Sequence, residues 1–111
     1  MKPGFSVWIK DDEDERIFGE GPYELLILID KLGSINKASI EMKMSYSKTM
    51  NIIKKCETSL NLKLLEREVG GAYGGGSKLT KAAKALIKRY EKFRETSYKA
   101  IEEIFNETFQ T

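Results

Sequence analysis

The C-terminal part of the chain contains an unbroken amphipathic segment that constrains the fold more than any other feature. Residues 81–106 contain neither glycine nor proline, so nothing in this stretch interrupts a helix. A helix of this length extends about 39 Å at 1.5 Å per residue, which is longer than one small domain requires. Its apolar positions continue along the whole segment, so we expect a projecting helix that contacts a second copy of the chain. The predicted dimer contacts are Leu86, Tyr90, Phe93, Tyr98, Ile101 and Phe105.

Three shorter helices are predicted upstream of this segment from their start and stop signals. Pro22 suits the first turn of a helix, and Gly33 is typical of the residue that ends one. Ser34 and Ser45 are N-cap residues for the next two helices, because a serine hydroxyl can accept a hydrogen bond from a free backbone N–H. The predicted helical ranges are 22–33, 35–43 and 46–60.

Two β-hairpins are predicted around these helices. Residues 5–18 contain β-forming residues on either side of the acidic run 11–15, which indicates a short hairpin with a charged turn. Residues 64–79 contain the other hairpin, and five of the nine glycines lie within residues 70–76. Neither phosphate-binding glycine motif fits this loop, so we interpret it as a flexible wing. Tyr73 and Lys78 are its predicted contacts to a phosphodiester backbone.

The helix predicted over residues 46–60 separates into two faces at about 100° per residue. Thr49, Ile53, Cys56 and Leu60 form the apolar face that we expect in the core. The opposite face carries small, amide-bearing or cationic side chains, which a helix needs to contact base edges in the DNA major groove. Its members are Ser47, Lys48, Asn51, Lys54, Lys55 and Thr58.

Charge is segregated along the chain although the formal net charge is only +2. Residues 31–92 hold fourteen Lys/Arg against five Asp/Glu, whereas both ends of the chain are acidic. A basic middle of this kind is typical of nucleic-acid binders, because cations that neutralise phosphates release counterions. A solvated lysine-rich surface without a nucleic-acid partner explains the charge pattern equally well.

Several classes of protein are excluded by composition. The chain has no histidine and one cysteine, Cys56, so it offers neither a His/Cys zinc site nor a catalytic triad with a histidine base. We therefore expect no enzymatic activity, metal or cofactor. The longest apolar run, residues 25–29, is far too short to span a bilayer. With no secretory signal and no disulfide pair, a cytoplasmic protein is predicted.

A set of short motifs, taken with the predicted order of helices and hairpins, indicates a particular kind of domain. They are Gly33-Ser34-Ile35, Ala38, Ser45-Tyr46, Leu64-Leu65-Glu66, Gly70-Gly71, Gly74-Gly75-Gly76 and Leu79-Thr80. Together they resemble the N-terminal DNA-binding domain of ModE-type molybdate-responsive regulators, a relative of the LysR-type winged helix. The resemblance covers about residues 5–95. Two residues depart from the family's usual ones, since Ser39 stands where alanine is usual and Met50 where tryptophan is usual.

The resemblance implies a single winged helix-turn-helix domain over residues 1–111, mainly α with small β. An N-terminal β-hairpin precedes it and a long C-terminal dimerisation helix ends it. The implied function is sequence-specific binding of double-stranded DNA by a homodimeric transcriptional regulator, without a molybdate site in this chain. The alternative is a winged-helix module that binds protein and not DNA, whose binding would depend less on salt. The predicted DNA contacts are Ser34, Ser45, Tyr46, Ser47, Lys48, Asn51, Lys54, Lys55, Tyr73 and Lys78.

Overall fold

Four helices and two β-hairpins make up the computed structural model, which describes residues 1–67 and 76–110. In chain order they are β1 (Ile9–Lys10), β2 (Arg16–Phe18), α1 (Glu20–Leu32), α2 (Ile35–Glu41), α3 (Tyr46–Leu60), β3 (Leu65–Arg67), β4 (Ser77–Leu79) and α4 (Lys81–Phe109). Strands β1 and β2 pair antiparallel, as do β3 and β4. The predicted fold class, a mainly helical winged helix-turn-helix with little β structure, is confirmed.

Some helix ends differ from the predicted ones for local reasons. α1 begins at Glu20 because the Tyr23 N–H already donates to the Gly19 carbonyl at 3.0 Å, and Pro22 sits within the first turn, where an N–H has no helical partner. α2 ends at Glu41, and shortly afterwards Lys43 adopts a left-handed φ of 57°. α4 runs to Phe109, so it is three residues longer than the predicted range.

The core lies where α1, α3 and the first half of α4 meet beneath β2. Tyr90 is 1% exposed, and its ring packs edge-on against Phe18 with centroids 5.2 Å apart. Leu86 is 9% exposed. The prediction of Leu86 and Tyr90 as dimer contacts is therefore wrong, because both side chains lie in the core of their own chain and Tyr90 is covered by Phe18 and the N-terminal segment. The other buried apolar residues are Phe18, Leu25, Leu26, Ile29, Ala38, Ile53, Cys56, Leu64, Leu79, Ala83 and Ile87.

A polar network holds α4 at a fixed angle to α1. The Tyr90 hydroxyl lies 2.9 Å from the Val7 carbonyl oxygen and 3.0 Å from Glu20 Oε1. Burial and the neighbouring Glu20 carboxylate raise the pKa of Tyr90 to about 12, so the phenol remains a donor at neutral pH. Arg94 Nη1 donates to both oxygens of Glu20, at 3.0 and 3.1 Å. The direction in which α4 leaves the domain is thus set by contacts with the N-terminal segment and α1.

The second half of α4 extends away from the core, and the molecule measures 62 × 29 × 25 Å. The N-terminal segment accompanies it: the Phe5 ring lies 5.4 Å from that of Tyr98, and Gln110 Nε2 donates to the Met1 carbonyl. The second half of α4 is thus partly covered by the N-terminal segment of its own chain. Val7, in the same segment, packs against the core.

Candidate nucleic-acid interface

Two serine caps establish the helix-turn-helix. The Ser34 hydroxyl accepts a hydrogen bond from the Lys37 N–H, and the Ser45 hydroxyl accepts one from the Lys48 N–H, both at 3.1 Å. Each cap uses one acceptor position of its hydroxyl and leaves the proton free for another acceptor. Both predicted contacts, Ser34 and Ser45, can therefore cap their helix and donate to a phosphate at the same time.

A buried pair of hydroxyls fixes the packing of α2 on α3. Ser39 is 1% exposed and Thr49 is fully buried, and their hydroxyl oxygens lie 2.9 Å apart. Thr49 also bonds the Ser45 carbonyl at 3.0 Å, and Ser39 the Ile35 carbonyl at 2.8 Å. Sequence reasoning missed this contact, although a serine in place of the usual alanine at position 39 was a signal for it. The pair orients α3 without using any of its outward side chains.

The outward face of α3 is exposed to solvent at every predicted position. Ser47, Lys48, Asn51, Lys54, Lys55 and Thr58 are all exposed, whereas Thr49, Ile53 and Cys56 are buried. Tyr46, the first residue of the helix, is 46% exposed. The prediction of the core face is confirmed for those three residues, with Leu60 half-buried. Burial raises the pKa of the Cys56 thiol, whose Sγ lies 3.2 Å from the Ile17 carbonyl oxygen, so it is a core group.

The cations of this face differ in their surroundings. Lys55 Nζ lies 3.7 Å from a carboxylate oxygen of Glu15, at the edge of the acidic turn of the N-terminal hairpin. Both side chains are largely exposed, so the pair contributes little to stability. Lys48 and Lys54 form no ion pair within 4.0 Å in the described part of the chain. All three lysines are exposed and can therefore approach phosphate.

A polar groove of about 230 Å³ lies where α2, α3 and the wing meet. The Ser77 N–H donates to the Gly33 carbonyl at 3.1 Å, which ties β4 to the turn between α1 and α2 and places the wing beside α2. Sequence analysis missed Asn36 and Arg67 as members of this groove. The signal for Arg67 is the strand register, which sets it opposite Ser77. The lining residues are Ser34, Ile35, Asn36, Tyr46, Arg67, Gly76 and Ser77.

Lys78 and Arg67 lie on opposite faces of the β3–β4 hairpin. Lys78 pairs across the ribbon with Glu66, one step from the Arg67–Ser77 pair. Because successive residues of a strand point to opposite faces, Lys78 faces away from the groove and is exposed. Tyr73 lies outside the described residues, as do all but one of the glycines of the wing, so that part of the site stays a prediction.

Metal-binding clusters and membrane-spanning helices are absent from the residues that the structure describes. Residues 1–67 and 76–110 contain no cluster of three or more Cys, Asp or Glu side chains that could hold a metal ion. Among the same residues, no helix combines the length and the hydropathy that crossing a membrane requires.

Comparison with known proteins gives one relative in sequence and several in structure. The chain is 36% identical over 72 residues to the transcriptional regulator ModE of Haemophilus influenzae, a match that covers 65% of this chain and 28% of that protein. No protein-family model matches the chain. The chain thus spans about a quarter of the curated relative that it matches.

Solved structures with the same fold have low sequence identity to the chain. The CbnR DNA-binding domain, crystallised with DNA, superposes with a TM-score of 0.59 at 18% identity, covering 79% of this chain and 95% of that one. CbnR itself, a LysR-family transcriptional regulator, gives 0.57 at 19% identity, over 78% of this chain and 28% of that one. ArgP from Mycobacterium tuberculosis gives 0.54 at 20% identity, over 77% and 30% of the two chains. The resemblance of this chain to ModE-type and LysR-type winged helices is therefore confirmed.

Proposed function

We propose that this ModE- and LysR-like winged helix is the DNA-binding part of a sequence-specific transcriptional regulator that acts as a homodimer. The observation that carries the proposal is the face of α3, where amide, hydroxyl and cationic side chains are exposed together while Thr49, Ile53 and Cys56 are buried on the other side. Asn51 lies at the middle of this face. An asparagine amide can donate to and accept from one adenine edge in the major groove, which gives it the chemistry of a base-reading residue.

The groove beside α3 supplies the other half of the proposed interface. A serine hydroxyl at Ser34, the Asn36 amide and the Arg67 guanidinium converge on it from α2 and the wing. These groups suit phosphate oxygens, since arginine presents several donors in a fixed planar arrangement. In this proposal α3 reads bases while the groove fixes the register of the domain on the DNA backbone.

The homodimer is supported by the apolar surface that α4 leaves uncovered. Phe93, near the middle of α4, is 46% exposed, and Ile104 and Phe109, on the half that projects from the core, are 61% and 64% exposed. Tyr98 is 41% exposed, while Ile101 and Phe105 are half-buried. A two-fold contact between two such helices would cover these side chains and hold two copies of α3 at the fixed separation that two half-sites require.

Replacing Asn51 with alanine is expected to relax base preference at one position of the binding site and to cost about 1–3 kcal/mol of discrimination there. Stability should not change, because the side chain is exposed. Selection of bound sequences from a random DNA library measures the effect. Asn106→Ala is the matched control, since Asn106 is an exposed asparagine on the distant part of α4. An unaltered base preference for Asn51→Ala would contradict the assignment of this face to DNA.

Replacing Lys78 with alanine is expected to weaken binding to all DNA sequences alike, because a contact to phosphate carries no base information. The slope of log affinity against log salt should fall in magnitude by about one. Arg67→Ala tests the groove side of the same hairpin, and Lys99→Ala on α4 is the control. A salt slope that changes for Arg67→Ala but not for Lys78→Ala would restrict the phosphate contact to the groove side.

A further inference from the structure

A second cavity, of about 340 Å³, lies on the opposite side of α3 from the groove. The N-terminal hairpin, the first turn of α1 and the inner edge of α3 enclose it. Its walls are mainly apolar and include Val7, Trp8, Ile17 and Ile52, with the Cys56 thiol at its inner end. A cavity of this volume with apolar walls has the dimensions of a small-molecule site.

The charged groups at this cavity leave an excess of positive charge. The carboxylate of Glu20 is held by Arg94 and by the Tyr90 hydroxyl, so its charge is already compensated. Arg16 lies with its guanidinium carbon 3.9 Å from the centre of the Trp8 ring and forms no ion pair among the described residues. Lys55 is held only by its exposed contact with Glu15. A ligand that fits these walls and charges is apolar with one negative group.

The cavity is held open by contacts that do not depend on a ligand. A side chain at Gly19 would place its Cβ 3.0 Å from the Cβ of Trp8, so the hairpin approaches α1 as closely as the backbone allows. The Tyr90 hydroxyl binds the carbonyl of Val7, the residue next to Trp8. Because these two adjacent residues of the wall are both anchored to the rest of the domain, this side of the cavity is preformed.

We propose that this cavity binds a small apolar carboxylate, whose body packs against Trp8 and Ile52 and whose charge pairs with Arg16. Ile52, Lys55 and Cys56 belong to α3, so an occupied cavity contacts the helix that carries the predicted base-reading face. Occupancy then shifts α3 or draws Lys55 away from Glu15, and in either case DNA affinity changes. This coupling to DNA rests on the proposed function, whereas binding of the carboxylate does not.

The test of binding uses phenylacetate as the probe and its neutral amide, phenylacetamide, as the chemical control. Trp8 is the sole tryptophan of the chain, so one indole N–H signal in an NMR spectrum reports on the cavity wall. Phenylacetate is expected to shift this signal saturably, and phenylacetamide to bind about tenfold more weakly. Absence of a saturable shift with phenylacetate, or equal binding of the two probes, would overturn the proposal.

The Arg16→Gln variant measures how much the positive charge contributes to binding, independently of the apolar walls. This exposed substitution is expected to weaken phenylacetate binding about tenfold and to leave phenylacetamide binding unchanged. Lys10→Gln, on the same hairpin but outside the cavity, is the matched control and should bind phenylacetate like the original chain. Unchanged phenylacetate affinity in Arg16→Gln would overturn the proposal.

DNA affinity measured with and without saturating phenylacetate tests the coupling separately. The expected result is a change of at least severalfold for the original chain and none for Arg16→Gln. Identical DNA affinities with the cavity occupied would overturn the coupling alone. Failure to bind any DNA would overturn the proposed function and the coupling with it, while the NMR titration still decides whether the cavity takes a carboxylate.

Discussion

Replacing Tyr90 with alanine is expected to lower the free energy of unfolding by about 3–5 kcal/mol, the cost of removing a large aromatic side chain from a core. Tyr90 is 1% exposed and packs against both Phe18 and Tyr23, with ring centroids 5.2 Å away in each case. Its hydroxyl also forms hydrogen bonds with Val7 and Glu20. In Tyr90→Ala these bonds are lost, so the N-terminal segment is no longer anchored on α4. Urea denaturation followed by circular dichroism measures the change.

Tyr90→Phe is the matched control for this loss. It keeps the ring and removes only the hydroxyl, so its expected cost is about 1–2 kcal/mol. The pair of variants also separates two roles for the residue, because a core role lowers stability while an interface role lowers dimer affinity. If Tyr90→Ala leaves the urea midpoint unchanged but weakens self-association, Tyr90 is a dimer contact and its assignment to the core is wrong.

Introducing glutamate at both Phe93 and Ile104 is expected to convert the proposed homodimer to a monomer at tens of micromolar. Both side chains are strongly exposed, at 46% and 61%, so the double variant should keep its fold. In a two-fold interface it would place charges in an apolar contact, which is unfavourable on both subunits. Sedimentation equilibrium measures the change. Affinity for a two-half-site DNA should fall by about 100-fold or more, because the second half-site is no longer bound in the same complex.

Lys99→Gln combined with Asn106→Glu is the control for this experiment. It changes the net charge of the same part of α4 by the same two units, at two exposed polar positions on the opposite side of the helix from Phe93 and Ile104. This control should remain a dimer and bind DNA like the original chain. If the original chain is itself a monomer at tens of micromolar, or if the Phe93 and Ile104 variant stays dimeric, the apolar surface of α4 is not the dimer contact.

Much of the fold was predictable because the determinants are local in sequence. Ser34 and Ser45 cap their helices, Gly33 takes a left-handed φ of 68° at the end of α1, and Thr80 caps α4. Each of these roles depends on the backbone within a few residues, so residue type and spacing are enough to recognise it. The two faces of α3 were predictable for the same reason, since helical periodicity alone separates its buried positions from its exposed ones.

The candidate site was only partly predictable, because some of its members meet across the chain. Arg67 and Asn36 share a groove through the register of β3 with β4 and the bond from Ser77 to Gly33. Neither the strand register nor this hydrogen bond produces a periodic pattern in the sequence from which it could be predicted. The hydroxyl pair of Ser39 and Thr49 is similar, since two polar residues at core positions become compatible only when the tertiary fold brings them within 2.9 Å.

The apolar stripe of α4 shows most clearly which features the local sequence determines and which depend on the tertiary fold. Its periodicity determines that one face of the helix must be covered, and an apolar side chain has the same reason to be covered by its own chain as by a partner. For Tyr90 this was decided by the path of the rest of the chain, because Val7, Phe18 of β2 and Glu20 of α1 all reach it, and Leu86 lies in the same buried core. Beyond Tyr90, Phe93, Ile104 and Phe109 remain exposed, although the N-terminal segment reaches Tyr98 and Gln110 on the same part of the helix. Local patterns along the chain therefore specify which surfaces are apolar, whereas only the long-range path of the backbone specifies what each surface contacts.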